Sequence, residues 1–95
     1  MNNPPLSEQT AQQLIARIAI PPRPQILTEI FSALQSDAPD LRALSRLVAS
    51  DVALSAAVLK TVNSPFYGLR RKVESIDQAV GVLGLDNIAT LVTGF

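Results

Sequence analysis

The sequence contains no cysteine and no histidine, and only four of its 95 residues are aromatic: Phe31, Phe66, Tyr67 and Phe95. Without cysteine there are no disulfides and no thiolate sites. Without histidine, zinc and non-haem iron lose their commonest ligand, and general-base catalysis loses its commonest side chain. No apolar run approaches the roughly 18 residues of a membrane span, and the N-terminus lacks a basic-then-apolar signal pattern. A cytoplasmic setting is the default expectation. Net charge is also missing: eight basic and eight acidic residues cancel. Neutrality argues against broad electrostatic capture of nucleic acid or of an anionic membrane.

The length bounds the chain to one domain at most. Such a chain buries only roughly 60–65% of the surface it exposes when unfolded. The apolar fraction of 47% is that of a globular protein.

The most informative stretch is Asp51–Asn63. It reads as a capped helix, apolar nearly all the way round, with only Ser55, Lys60 and Thr61 interrupting it. A helix without a wide polar face is normally buried by neighbours on several sides. The pattern therefore predicts a central rod here.

Before it, Ser7 caps a predicted helix over 8–19, with Ala11, Leu14, Ile15 and Ile18 on one stripe and Leu6 placed to staple against Ala11. Ile20-Pro21-Pro22-Arg23-Pro24 is a polyproline-like connector, and Pro24 suits the first turn of the next helix. That helix carries Ile26, Leu27, Ile30, Phe31 and Leu34 at helical spacing and ends near Ser36. Asp40 caps a third helix over 41–49, with Leu41, Leu44, Leu47 and Val48 inward. Asp51 caps the central one.

Beyond the rod, Asn63 tolerates a left-handed helix end, and Pro65 disfavours helix at Ser64. Ser75-Ile76-Asp77-Gln78 has the form of a capping box for a short helix over 76–83. Gly84 fits a left-handed break, and Asp86 caps a last helix with Ile88, Leu91, Val92 and Phe95 on its stripe. That stripe runs into the last residue. The expectation is a cut inside a larger helical domain, or a homo-oligomer that hides this face. The fold expected is all-α: an irregular bundle of about six short helices.

Several of these segments together resemble a known family, the HDOD domain, the HD-related output domain of bacterial signalling proteins. Ile20-Pro21-Pro22-Arg23-Pro24 resembles its L-P-P-L-P entrance. Ser50-Asp51-Val52-Ala53-Leu54 resembles its x-D-P-A-L segment, with Val52 in place of Pro. Val62-Asn63-Ser64-Pro65-Phe66-Tyr67-Gly68 resembles A-N-S-A-x-F-G, with Pro65 in place of a small residue. Ser75–Val80 with Leu83-Gly84-Leu85 resembles S-I-x-x-A-I-x-x-L-G. The order holds from Ile20 to Phe95. The resemblance divides the chain into a lead-in with first helix, 1–19, and the N-terminal half of an HDOD-like domain, 20–95. It implies a fold like that of HD-type phosphohydrolases without their metal-binding His and Asp set. It also implies a regulatory module whose partners are other signalling proteins or domains of the parent chain.

Each candidate site residue has a structural reading beside the functional one. Asp51 is a vestigial metal ligand or, more simply, an N-cap. Asn63 and Ser64 line a groove or end a helix. Phe66 and Tyr67 present an aromatic surface, or one packs inward and the other lies half exposed. Arg70 and Arg71, with Lys72, bind phosphate or nucleic acid, or form a solvated loop. Ile88, Leu91, Val92 and Phe95 form an interface with another chain. No serine has a histidine to activate it, and the glycines make no phosphate loop. The sequence therefore assigns no catalytic, cofactor or metal residue. The function expected is a non-catalytic signalling module acting by protein contact. Its rivals are a fragment of a metal-dependent HD-type phosphohydrolase with ligands outside this chain, and a small nucleic-acid binder.

Overall fold

The computed structural model describes residues 5–15 and 21–95, without the side chains of residues 12–15. The predicted positions Leu14, Ile15, Ile18 and Ile20 lie outside the described side chains or residues. The described chain is all helical, with five helices: α1 (Glu8–Ile15), α2 (Pro24–Leu34), α3 (Leu41–Ala49), α4 (Val52–Val62) and α5 (Ile76–Thr93).

The helix starts follow local chemistry. Asp40 accepts from the Arg42 N–H at 2.9 Å. Asp51 accepts from the Leu54 N–H at 2.8 Å. Ser75 accepts from the Gln78 N–H at 3.1 Å, and Ser7 accepts from the Thr10 N–H at 3.1 Å. Each side chain satisfies one of the amide donors left open at a helix start. Pro24 occupies the first turn of α2, where no N–H is needed.

Six helices become five because the two expected on either side of Gly84 run together as α5, with a kink at Gly84, which has φ 77° and ψ 169°. The positive φ matches the expectation, but ψ is extended and not the left-handed helical value. Only glycine adopts this geometry without strain. An alanine Cβ at Gly84 would meet nothing within 4 Å, so the cost of Gly84→Ala is backbone strain alone. Urea denaturation should show it destabilised by about 1–3 kcal/mol. Gly81 has a helical backbone and the same open surroundings. Gly81→Ala should therefore be stabilising, by about 0.5–1 kcal/mol.

The centre of the bundle is α5, which packs against all four other helices, whereas α4 meets α3 and α5. The rod expected at α4 is thus displaced to α5. Leu54, Ala57, Val58, Thr61 and Val62 of α4 are buried, but Val52 is 87% exposed and Ala56 also faces water. The apolar circumference of α4 exceeds what this bundle covers.

Three further expectations are corrected. Phe31 is exposed, because α2 turns Ile26 and Ile30 into the core and Phe31 follows Ile30 by one residue, about 100° round the helix. Leu41 is exposed, because it borders grooves beside both halves of the bent α5. Asn63 ends α4 with φ −88°, not in the left-handed region.

The C-terminal stripe is covered from within. Ile88, Leu91 and Val92 are buried in the core of the chain itself, and Phe95 packs half-buried against it. Their cover includes α1 and the segment before it. The Leu6 N–H donates to Asn87 Oδ1 at 2.9 Å, across 81 residues of sequence. Asn87 Nδ2 in turn donates to the Leu83 carbonyl at 2.8 Å, beside the bend. Leu6 and Ala11 are both buried, as a staple requires.

Candidate functional site

Two sequence marks, Asp51 and Asn63, sit at opposite ends of α4, and each ties that helix to a connector. Asp51 is 4% exposed. Its Oδ1 caps Leu54, while its Oδ2 accepts the Arg23 N–H at 3.2 Å and Arg23 Nε at 3.0 Å. Arg23 Nη2 also donates to the Ser50 carbonyl at 3.4 Å. The carboxylate thus pins the proline-rich entrance onto the start of α4. Burial pushes its pKa up. The Leu54 N–H and the Arg23 contacts outweigh that and hold it below its ordinary 3.8.

At the other end, Asn63 uses both arms of its amide on one residue. Nδ2 donates to the Val73 carbonyl at 2.8 Å, and Oδ1 accepts the Val73 N–H at 2.7 Å. The side chain imitates one rung of a β-ladder and holds the 69–75 connector against α4. Val73 itself is 3% exposed.

Between these ties lies the turn Ser64–Gly68. The Tyr67 N–H donates to the Ser64 carbonyl at 3.2 Å, and Gly68 takes φ 59°. Tyr67 is 7% exposed and Phe66 37% exposed, with ring centroids 5.2 Å apart at 76°, an edge-to-face pair. One ring goes inward and its neighbour stays at the surface. The hydroxyls of Tyr67 and Ser64 are buried and find no hydrogen-bond partner among the described residues. A buried hydroxyl without a partner costs free energy, so Tyr67→Phe should leave stability unchanged or raise it by up to about 1 kcal/mol. Burial also raises the Tyr67 pKa above its ordinary 10.0. That contribution is complete below pH 10 and is lost as pH rises through the folded-state value. The Phe variant should lack this alkaline limb in denaturation curves.

The basic run is divided. Arg70 and Arg71 are exposed, while Lys72 lines a groove with Lys60, Asn63 and Ser64. The site positions therefore separate into three groups. Asn63, Ser64, Phe66 and Tyr67 come together at the C-terminal end of α4. Arg70 and Arg71 lie on the connector that Asn63 anchors. Ile88, Leu91, Val92 and Phe95 belong to the core. Arg23, Val73 and Asn87 were missed as partners by sequence reasoning, because a side chain bonding to distant backbone leaves no periodic trace.

The arrangement has the chemistry of a frame. Among the described residues no group of three or more His, Cys, Asp or Glu side chains is placed to hold a metal ion. No described helix is long and apolar enough to cross a membrane. The fold and these ties define a small all-α domain. The chain belongs to the HDOD domain family, whose sequence model matches residues 20–95.

Two relatives are similar over part of the chain. An uncharacterized protein of Bacillus subtilis (strain 168), YuxH, is 33% identical over 60 residues, which is 63% of this chain and 15% of that protein. An uncharacterized protein of Treponema pallidum (strain Nichols) is 34% identical over 73 residues, 77% of this chain and 14% of that protein. The matched region thus spans about one seventh of either relative's length. No solved structure matches the chain.

Proposed function

We propose that this HDOD domain is a regulatory module of bacterial cytoplasmic signalling, acting through contacts with other proteins or with other domains of its parent chain, without catalysing a reaction. The observation that carries this reading is the outward face of α4. Val52 and Ala56 are exposed there and Ala53 and Leu59 are half-buried, with little polar relief beyond Ser55 and Lys60. A helix keeps its solvent face polar unless another surface covers it. Supporting it, Asp51 and Asn63 are engaged by the backbone, and neither presents a free reactive group.

The isolated chain has no native cysteine, so one introduced thiol can be followed in it, and in the parent protein labelling is read at that position by peptide mass. Val52→Cys places one thiol on the outward face, where the wild-type residue is 87% exposed. In the isolated chain that thiol should react with a maleimide at the rate of an exposed cysteine. In cells expressing the parent protein it should react at least about tenfold more slowly, the protection an occluding contact confers. Equal rates in both settings would sink the proposal. Hydrolysis of a phosphodiester by the parent protein, lost when its metal is removed, would instead favour the phosphohydrolase reading.

A further inference from the structure

Two hollows lie side by side in the valley between α3 and α5, one of about 460 Å³ over Gly81 and one of about 580 Å³ over Gly84. An added Cβ at either glycine would meet nothing within 4 Å, so the floor of both is low. Leu41 borders both hollows and is 41% exposed, a large apolar side chain standing between two depressions. The charges of the valley are sorted by wall. Arg42 and Arg46 are on the α3 side. They are four residues apart on one helix, which makes them neighbours on one face with Cβ atoms about 5–6 Å apart. Asp77 and Asp86 are on the α5 side, one in each hollow. All four side chains are exposed, and among the described residues no ion pair or side-chain hydrogen bond engages any of them.

We propose that this face binds a second copy of the chain, about a two-fold axis running along the valley. The face complements itself in charge. Rotation about such an axis lays the α3 wall of each copy over the α5 wall of the other. The basic wall of one copy then meets the acidic wall of its partner, and the reverse pairing forms at the same time, as the self-complementary patch of a two-fold dimer requires. Leu41 of each copy comes down over the partner's valley floor, where the two glycines leave room for it. A partner of uniform charge fits less well, because one wall would always face its own sign, and opposed like charges are strongly unfavourable. Two copies of a chain whose charges cancel also carry no net repulsion. The proposal stands apart from the contact role of the α4 face, which is on a different helix.

Sedimentation equilibrium of the chain tests this. The average mass should rise from 10.2 kDa toward twice that value as concentration passes through about 0.1 mM. Two variants decide which face is used: Arg42→Glu with Arg46→Glu, and Asp77→Lys with Asp86→Lys. Each gives both walls one sign, so each alone should self-associate at least about tenfold more weakly than the wild type. An equimolar mixture of the two should regain the dimer, because every wall again meets its opposite. All four positions are exposed, and unchanged helical circular dichroism will show that the variants fold. Gly81→Leu, which fills one hollow with a helix-favouring residue, should also weaken the dimer. A wild type that stays at 10.2 kDa up to about 1 mM would overturn the proposal. So would a dimer that survives either charge reversal, or a mixture that stays monomeric. A dimer lost on Val52→Glu but not on charge reversal would put self-association on the α4 face instead.

Discussion

Asp51→Ala should destabilise the domain by about 3 kcal/mol in urea denaturation at neutral pH. Two losses combine. The Leu54 N–H loses its cap, which contributes about 1 kcal/mol. The Arg23 N–H and guanidinium lose their acceptor, and the connector loses its anchor. A fully buried ion pair broken on one side costs about 3–5 kcal/mol, but the Arg23 side chain is 63% exposed and can be rehydrated. The estimate therefore sits at the lower end of that range. Asp51→Asn should fall between the wild type and the alanine variant. Its carbonyl can keep the Leu54 cap, while its NH2 group faces the donors of Arg23.

The same carboxylate sets a pH dependence with a definite sign. Its folded-state pKa is lowered from 3.8, so the unfolded chain takes up the proton first on acidification. The stabilisation is complete above the ordinary carboxylate range and is lost as pH falls through the folded-state value. The stability gap between wild type and Asp51→Asn should therefore be constant near neutrality and shrink below about pH 4. A gap independent of pH down to pH 2 would contradict the role given to the charge.

Asn63→Ala should cost about 2–4 kcal/mol, because it leaves both backbone groups of a buried residue, Val73, without their partners. Asn63→Asp is the sharper variant. It preserves an acceptor for the Val73 N–H and removes the donor that the Val73 carbonyl needs. It should destabilise despite its near-identical shape, and more at pH 7 than at pH 3, where a protonated carboxyl can donate again. Hydrogen exchange should locate the damage in the 69–75 connector, with the buried half of α5 still protected. A neutral effect of Asn63→Ala on stability would mean the ladder-like tie is not holding the connector.

How legible was this fold? The helix starts were, because capping is local chemistry: Ser7, Asp40, Asp51 and Ser75 each bond to an N–H two or three residues onward. The bend at Gly84 was legible for the same reason. The identity of the central helix was not. The apolar circumference of α4 predicts burial on several sides, whereas α5 takes that position and α4 keeps an apolar face toward water. Periodicity shows that a face is apolar but not which body covers it. The C-terminal stripe illustrates the converse. Ile88, Leu91 and Val92 looked unfinished in the sequence, and the chain's own core, with Leu6 tied to Asn87, covers them.

The candidate site was legible as a set of positions but not as roles. Asp51 was read correctly as a cap, yet its second oxygen serves Arg23, 28 residues earlier. Asn63 was placed correctly at a helix end, yet its amide serves Val73, 10 residues later. Such ties depend on where the connectors return, which only the assembled bundle determines.

The family's marked residues in this chain, Asp51 foremost, build its frame. The most direct test is addition of paramagnetic Mn2+ to the isotopically labelled chain. If Asp51 is a tie, the amide signals of Arg23 and of residues 50–54 keep their intensity relative to the rest of the chain. Selective loss of those signals at sub-stoichiometric metal, abolished by Asp51→Asn, would make the carboxylate a ligand and contradict the account.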